Sequence, residues 1–404
     1  MIMRKKTNIL AYIWRGVATL MLIATLAIVA TGISPIYHFP EPQPFSGADI
    51  FNPYRNIDSA HCWKRANFHT HTRVKGPMNE CELWPEGVIE AYDRFDYDIV
   101  TFSNHNEITT HPNPELQVDL YEHGYNILKF HKLVFGPTNG VWHFDHLLPI
   151  LTSQRQWQID MLTKECDFIQ LNHPLRTPMT TTAMLRQLGG YTIMELDSGR
   201  STENEYWDSA LSAGHYSFGL AGDDLHYPDR SSKIAMRCSF LCTPSATYAD
   251  LRHTLTEGCY YSMRLPDYGN GDWQVKIERN RSIPAITDIG VDENRIFAEF
   301  SQRAKSIVVY GQNHATLHKE LNSSRIEYCL GIDEPYARIV AHFDEGEVIY
   351  TNPFARYDSA TADSPFREPT HSVDWLLTIL FNTTLAILAA LIIVTIVKVW
   401  RPKR

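Results

Sequence analysis

Apolar and polar positions follow three regimes along the chain. The first is two continuous apolar runs, "GVATLMLIATLAIVATGIS" (Gly16 to Ser34) and "WLLTILFNTTLAILAALIIVTIV" (Trp375 to Val397). Each is long enough to cross a bilayer as a helix, and only Asn382, Thr383 and Thr384 interrupt the second with polar side chains. In the second regime, from Arg65 to about Arg264, short apolar runs alternate with helix-period stretches. The predicted strands are "ANFHT", "YDIVTFS", "HKLVFG", "HLLPIL", "DFIQLN", "YTIMEL", "YSFGLA" and "RCSFLC". The predicted helices are "PEGVIEAYDRF", with Pro85 at a favoured first position, "SQRQWQIDMLTKEC", "ENEYWDSALSAG" and "SATYADLRHTLTEG". Gly214 and Gly258 stand where the last two helices should stop. Strands alternating with helices predict a parallel α/β fold, and seven or eight such units favour a barrel over an open sheet.

From Asp272 to about Tyr357 the period drops to two. "WQVKIERN", "RIFAEFS", "SIVVYGQ", "RIEYCLG", "ARIVAHFD" and "GEVIYTNPF" read as strands of a small antiparallel β domain, a sandwich, with "DEGE" as a hairpin turn. The expected division is therefore a tail and first span over 1–36, a proline-rich linker over 37–64 and a barrel over 65–268. The β domain follows over 269–357, then a polar linker over 358–374, and a second span with a basic tail over 375–404.

Charge orients the two spans. Arg4, Lys5, Lys6 and Arg15 precede or open the first, Lys398, Arg401, Lys403 and Arg404 surround the end of the second, and no Lys or Arg lies between Ile33 and Tyr54. The positive-inside rule then predicts a two-pass protein of the cell membrane with both termini cytoplasmic and the central region outside. The alternative for the first run is a cleaved signal peptide, for which "VATGIS" offers a weak site. A net charge of −9, with no central run of Lys or Arg, argues against a nucleic-acid partner. The seven cysteines match no zinc-ribbon or disulfide framework. Cys238 and Cys242 read as packed side chains, and a Cys62–Cys81 bridge is compatible with an extracytoplasmic domain.

The candidate chemistry collects at the ends of the predicted strands. "NFHTHT" ends in His69 and His71, and "IVTFSNHNE" in Asn104, His105 and Glu107. "FIQLNHP" ends in His173, "TIMELDSG" carries Glu195 and Asp197, and "FGLAGDDLH" ends in Asp223, Asp224 and His226. In a parallel α/β barrel the strand C-termini share one face, so five strands would deliver imidazoles and carboxylates to one mouth. Residues two apart on an extended chain point the same way, so His69 with His71, and Asp224 with His226, could each chelate one ion. Taken singly, each motif has an ordinary reading: a turn for "NHP", a polar strand end for "HTH", a helix cap for Asp224. Jointly they suit Zn²⁺, Mn²⁺ or Fe²⁺, and two ions, up to three.

"HTH", "SNHN", "NHP" and "GDDLH", in that order, resemble the polymerase-and-histidinol-phosphatase (PHP) superfamily, whose pattern is HxH, a strand ending TDH, an HP and G-S-D-x-H. The resemblance covers roughly Asn67 to Arg264, and "YWDSALSAG" and "IYTNPF" are similar to membrane-associated and carbaryl-hydrolase-like members that carry a small β domain. It implies a distorted seven-stranded (β/α) barrel and metal-dependent hydrolysis, most often of phosphoesters. It also implies His69, His71, His105, His173, Asp224 and His226 as metal ligands, with His146 matching a further histidine. Three family carboxylates have no counterpart at the matching positions: "SNH" puts Asn104 where the family has an Asp. "TRVKG" supplies no acid after "HTH", and "VFGPTNG" places Thr138 where a Glu bridges two ions. Glu107, Glu195 or Asp223 could substitute. The expected function is a membrane-anchored metallohydrolase acting on a small anionic, phosphorylated substrate. Asp224 and Glu195 are the candidate catalytic acid–base residues, and Arg176 and Lys75 the candidate anion contacts. The alternative is a degenerate barrel that binds a metal or ligand without catalysis.

Overall fold

The computed structural model describes residues 2–57, 63–75, 79–197 and 204–401. In chain order, α1 (Ile2–Thr31), β1 (Tyr37–His38) and β2 (Asp49–Phe51) lead into the α/β region. That region comprises β3 (Trp63–Asn67), α2 (Pro85–Asp93), β4 (Ile99–Val100), β5 (Leu120–His123), β6 (Lys132–Phe135), α3 (Thr152–Thr163) and β7 (Phe168–Leu171). It continues through α4 (Thr182–Leu185), β8 (Ile193–Leu196), α5 (Asn204–Ser212), β9 (Phe218–Ala221), β10 (Arg237–Cys242), α6 (Tyr248–Glu257) and β11 (Tyr260–Arg264). Then come α7 (Trp273–Asn280), β12 (Ile286–Asp292), β13 (Arg295–Gly311), β14 (Ala315–Cys329), β15 (Tyr336–His342), β16 (Val348–Thr351), β17 (Phe354–Tyr357), β18 (Ser372–Val373) and α8 (Trp375–Trp400).

Local chemistry explains most boundaries. α2 starts at Pro85, whose missing N–H costs nothing in a first turn. α6 stops at Gly258, which takes φ +83° and returns its N–H to the Thr254 carbonyl. Three local expectations are corrected. "WQVKIERN" is the helix α7, because the Asp272 carboxylate accepts from the Gln274 and Val275 N–H groups and caps it. "HLLPIL" forms no strand: Pro149 has no N–H to give a ladder, and the segment packs against the end of α1. β5, which lies in "LQVDLYEHG", was not predicted as a strand at all.

Two sheets carry the fold. β5, β6, β7, β8 and β9 form one in sequence order, parallel from β7 to β9 but antiparallel at β5–β6 and β6–β7. The all-parallel expectation fails there because the connection from β5 to β6 is a short turn, which permits only antiparallel pairing. The second sheet has the order β12-β13-β15-β16-β11-β10-β3-β4. The expected separate sandwich over 269–357 is therefore not formed: β16 pairs with β11, so its strands extend the same sheet that holds β3. Two single-residue parallel bridges join the sheets, Thr70 with Leu225 just beyond β3 and β9, and His105 with Glu122 just beyond β4 and within β5.

α1 and α8 are the two helices long and apolar enough to cross a membrane among the described residues, and their apolar side chains stay largely exposed. They lie side by side. Asn382, the polar interruption of the second run, donates to the Ser34 carbonyl (3.1 Å) and accepts from the Ser34 N–H (3.2 Å). Trp400 donates from Nε1 to Thr19 Oγ1 (2.8 Å). β1 pairs with β18, so both connections leave the helices together. Cys62 lies outside the described residues, and the Cys62–Cys81 pairing with it.

One buried ion pair ties α5 to the second sheet. Asp208 and Arg338 are both fully buried, and Arg338 donates to the two Asp208 oxygens from Nε (2.8 Å) and Nη2 (2.5 Å). Tyr336 adds a third donor to the carboxylate (3.0 Å). Burial alone would raise the Asp208 pKa, but the Arg338 guanidinium outweighs it and holds it below the usual range. The pair therefore stabilises the fold above the pKa of an unfolded aspartate, about 3.9, and that contribution fades as pH falls through the depressed value. Arg338→Met should cost about 3–5 kcal/mol at neutral pH, because only Tyr336 and His314 then remain beside the buried carboxylate. The stranded acid's pKa then moves up, so the variant should regain stability on mild acidification. Thermal unfolding midpoints across pH check both effects.

Candidate metal centre

β3 runs out of its ladder at Asn67, and the next residues, Phe68 to Thr72, continue as buried extended chain beneath the mouth. His69 and His71 point to the same side, both about 1% exposed. Gly222, just beyond β9, permits this: a Cβ there would come within 2.8 Å of the His69 Cβ. The chain can thus turn Asp224 toward the pair of imidazoles. Asp224 does so at φ +49°, and His173 enters the site at φ +26°, conformations that side-chain-bearing residues adopt at a cost the surroundings must offset.

Glu122 lies at the centre. Its Oε1 is 3.3 Å from His69 Nε2, 3.1 Å from His131 Nδ1 and 3.4 Å from His173 Nε2. Its Oε2 is 3.3 Å from both His71 Nε2 and His105 Nε2. Asp224 Oδ1 approaches His69 Nε2 (3.2 Å), His71 Nε2 (3.3 Å) and His226 Nε2 (3.2 Å). Glu80 closes the outer side, with Oε2 3.3 Å from His105 Nε2 and 3.9 Å from His226 Nδ1. Three sets of donor atoms therefore fall within 4.8 Å of one another: His69, His71, Glu122 and Asp224; His71, Glu80 and His105; His105, Glu122 and His131.

Surrounding groups fix the orientation of these donors. His69 turns Nδ1 to Glu195 Oε1 (2.6 Å), which leaves Nε2 facing Glu122 and Asp224. The second Glu195 oxygen accepts from the His173 N–H (2.8 Å), and Asn172 donates to Glu122 Oε1 (2.8 Å). Arg176 Nη1 holds Asp224 Oδ2 at 2.6 Å. Burial works to raise the Glu122 pKa, but His105, His69 and His131 reverse it and hold it well below the carboxylate range. Burial likewise works to lower His71, yet Asp224 and Glu122 raise it to about 9. The buried Nε2 atoms of His69 and His71 have no hydrogen-bond partner, although they face carboxylate oxygens across just over 3 Å. Imidazole nitrogens and carboxylate oxygens spaced this way fit divalent cations of the Zn²⁺, Mn²⁺ or Fe²⁺ type.

The structure thus brings together His69, His71, His105, His173, Asp224 and His226. It places Glu195 behind His69 rather than among the converging atoms. His146 is elsewhere: its Nδ1 is hydrogen-bonded to the Thr31 carbonyl at the end of α1, and its ring packs on Trp157. Thr138 brings no carboxylate, but Glu122, on the unpredicted strand β5, and His131, just before β6, both face into the cluster. Glu80, in the loop that follows "HTH", supplies a further acid on the outer side. Asp223 takes no part, since Tyr92 and the N–H groups of Ala235, Met236 and Arg237 occupy it, and Asn104 is locked to Thr72 and Thr109. Lys75 is exposed. The signal for β5 was the "YEHG" step, an acid and a histidine in a run opened by Leu120, whose polar content hid its burial.

No protein-family model matches the chain, and no curated protein matches it. Among solved structures it is similar to a two-domain protein from Bacteroides vulgatus containing a predicted PHP-like metal-dependent phosphoesterase. That match has 13% identity and a TM-score of 0.38, and covers 78% of this chain and all of that one. It is also similar to the lesion-specific endonuclease PfuEndoQ from Pyrococcus furiosus, at 11% identity and a TM-score of 0.35, over 48% of this chain and 56% of that one. Both scores are too low to establish a common fold, and the chemistry rests on the residues themselves.

Glu122→Gln should lower the affinity for Zn²⁺ or Mn²⁺ by more than about 100-fold, and Glu195→Gln by about 10- to 100-fold through loss of the His69 anchor. Thr138→Ala should leave it unchanged. Metal content after equilibrium dialysis, with circular dichroism to verify folding, distinguishes the three.

Proposed function

We propose that the chain is a membrane-anchored, metal-dependent hydrolase of PHP type, acting on phosphoric esters. The observation that carries the reading is Glu122, a buried carboxylate with imidazoles facing each of its two oxygens. This is the arrangement expected of a group that bridges two ions. In the same reading the circuit of β3 to β9, joined by the Thr70–Leu225 and His105–Glu122 bridges, is a distorted seven-stranded barrel. Its strand ends present the ligands, with His69, His71, His105, His131, His173, His226, Glu80, Glu122 and Asp224 as the donor set. "YWDSALSAG", which folds as α5, supports the carbaryl-hydrolase-like branch only by its sequence.

Bound divalent ions supply Lewis acidity and a water acidic enough to ionise near neutral pH. The chain's own groups do the rest. Glu195 keeps His69 in the tautomer that presents Nε2. Asp224, at the mouth beside Arg176, is placed to take or return a proton, and Arg176 to hold an anionic ester oxygen. The acidic overall charge favours a small phosphorylated substrate over a nucleic acid. Arg15 and Lys398, with the basic residues flanking the two apolar helices, support an orientation with the termini in the cytoplasm and the site outside. Glu122 and Glu80 bring carboxylates to the histidine cluster, which supports catalysis over a barrel that only binds a metal or ligand.

The full chain in detergent, loaded with Mn²⁺ or Zn²⁺, should hydrolyse phosphomonoesters or phosphodiesters faster than carboxylic esters. Chelation should abolish turnover, readdition of the metal should restore it, and His71→Ala should lower it by at least about 100-fold. A fully metal-loaded protein with no turnover of any ester would instead establish the binding-module reading.

A further inference from the structure

The metal centre is linked through successive contacts to the end of the apolar helix α1. Two loops span the interval. The first follows β5: Tyr125 packs its ring on His105 at 5.1 Å between centroids and donates its hydroxyl to the His105 carbonyl (2.8 Å). Two residues on, the Ile127 N–H is bonded to the Leu147 carbonyl (2.9 Å), and Asp145 accepts from the Tyr125 N–H (2.9 Å). The second loop, residues 143–151, is seated on the last turn of α1. His146 is bonded to the Thr31 carbonyl, the Leu147 N–H to Thr31 Oγ1 (3.2 Å), and Gln154 beyond it to the Gly32 carbonyl (2.9 Å). A continuous path of contacts thus runs from a candidate ligand to the end of α1.

Exposed aromatic and aliphatic side chains flank that path. Tyr125 is 42% exposed, Ile127 61%, Phe144 37% and Ile150 40%, and Ile33 on the chain leaving α1 is 49% exposed. Trp142, Phe144 and Trp157 pack edge-on or tilted behind them, at 5.3 to 5.8 Å between centroids. A ledge of this kind is costly in water, but aromatic and aliphatic side chains beside the end of a membrane helix are at home in the interfacial zone. The exposed Lys129 stands in the same turn, its carbonyl held by Thr177, next to Arg176.

We infer that the substrate is the phosphoester headgroup of a lipid in the bilayer that holds α1 and α8. The headgroup enters past Tyr125 to the metal centre, and the acyl chains stay against Ile127, Phe144 and Ile150. This rests on the hydrolase and membrane readings above and names the substrate class for them. The path from α1 through the two loops to His105 makes the ledge continuous with the membrane-facing helices, which is why a lipid, rather than a soluble partner, is the occupant.

The test compares esters that share a headgroup and differ in their chains. The metal-loaded full chain is reconstituted into phosphatidylcholine vesicles containing phosphatidic acid or phosphatidylglycerol. In parallel it is offered glycerol 3-phosphate or glycerophosphoglycerol at equal bulk concentration. The lipid ester should be cleaved at least about tenfold faster, and combined Ile127→Ser, Phe144→Ser and Ile150→Ser should reduce that lipid-to-soluble ratio by about tenfold or more. Ile127→Leu should keep it, and metal content reports whether each variant is folded. Equal or faster cleavage of the soluble ester overturns the lipid assignment and leaves the hydrolase reading standing. A lipid preference untouched by the triple substitution overturns the ledge as its cause. No cleavage of any ester by the loaded protein overturns the hydrolase reading and this inference with it.

Discussion

Glu122 is ionised and almost wholly shut off from water, and a charge so placed must be compensated by its neighbours. Five imidazoles from four separate segments supply that compensation, whether through protons or through cations held between nitrogen and oxygen. Each of those segments is fixed by its own backbone demand. His69 and His71 extend from β3, His105 follows β4, His131 precedes β6 and His173 follows β7. The Glu122 carboxylate is thus the point at which the strand order of the α/β region becomes chemistry.

The supporting architecture follows from holding that carboxylate still. β5 is clamped on one edge by β6 and at Glu122 itself by the His105 bridge, so the side chain cannot swing out. Asn172 and Glu195 form a second layer, one donating to Glu122, the other fastening both His69 and the His173 backbone. Asp208 and Arg338 act at a distance from the mouth. They hold α5 to the antiparallel strands, which extend the sheet of β3 instead of forming a unit of their own.

The convergence of His69, His71, His105, His173, Asp224 and His226 was legible in the sequence because each sits at the end of an apolar run with a clear period. β5 was not legible. "LYEH" is four residues long and half of it is ionisable, so hydropathy reads it as surface, while in the fold all four are buried. Without that strand the expected acid fell at Thr138 and the expected histidine at His146, while the residues that face the cluster are Glu122 and His131. Glu80 escaped notice because it reaches the site from a loop rather than a strand end. "WQVKIERN" misled in the opposite way, since its alternation suits a strand, and only the Asp272 cap decides for a helix. The extent of the antiparallel sheet was also hidden, because strand period does not reveal which edge a strand joins.

Locating the ions in the metal-loaded protein by anomalous diffraction at the zinc or manganese edge tests the central claim most directly. At least two ions are expected with the Glu122 carboxylate between them, one shared with His69, His71 and Asp224 and the other with His105 and His131. Ions bound with Glu122 outside their coordination, or a single ion held without it, would overturn the central place given to Glu122.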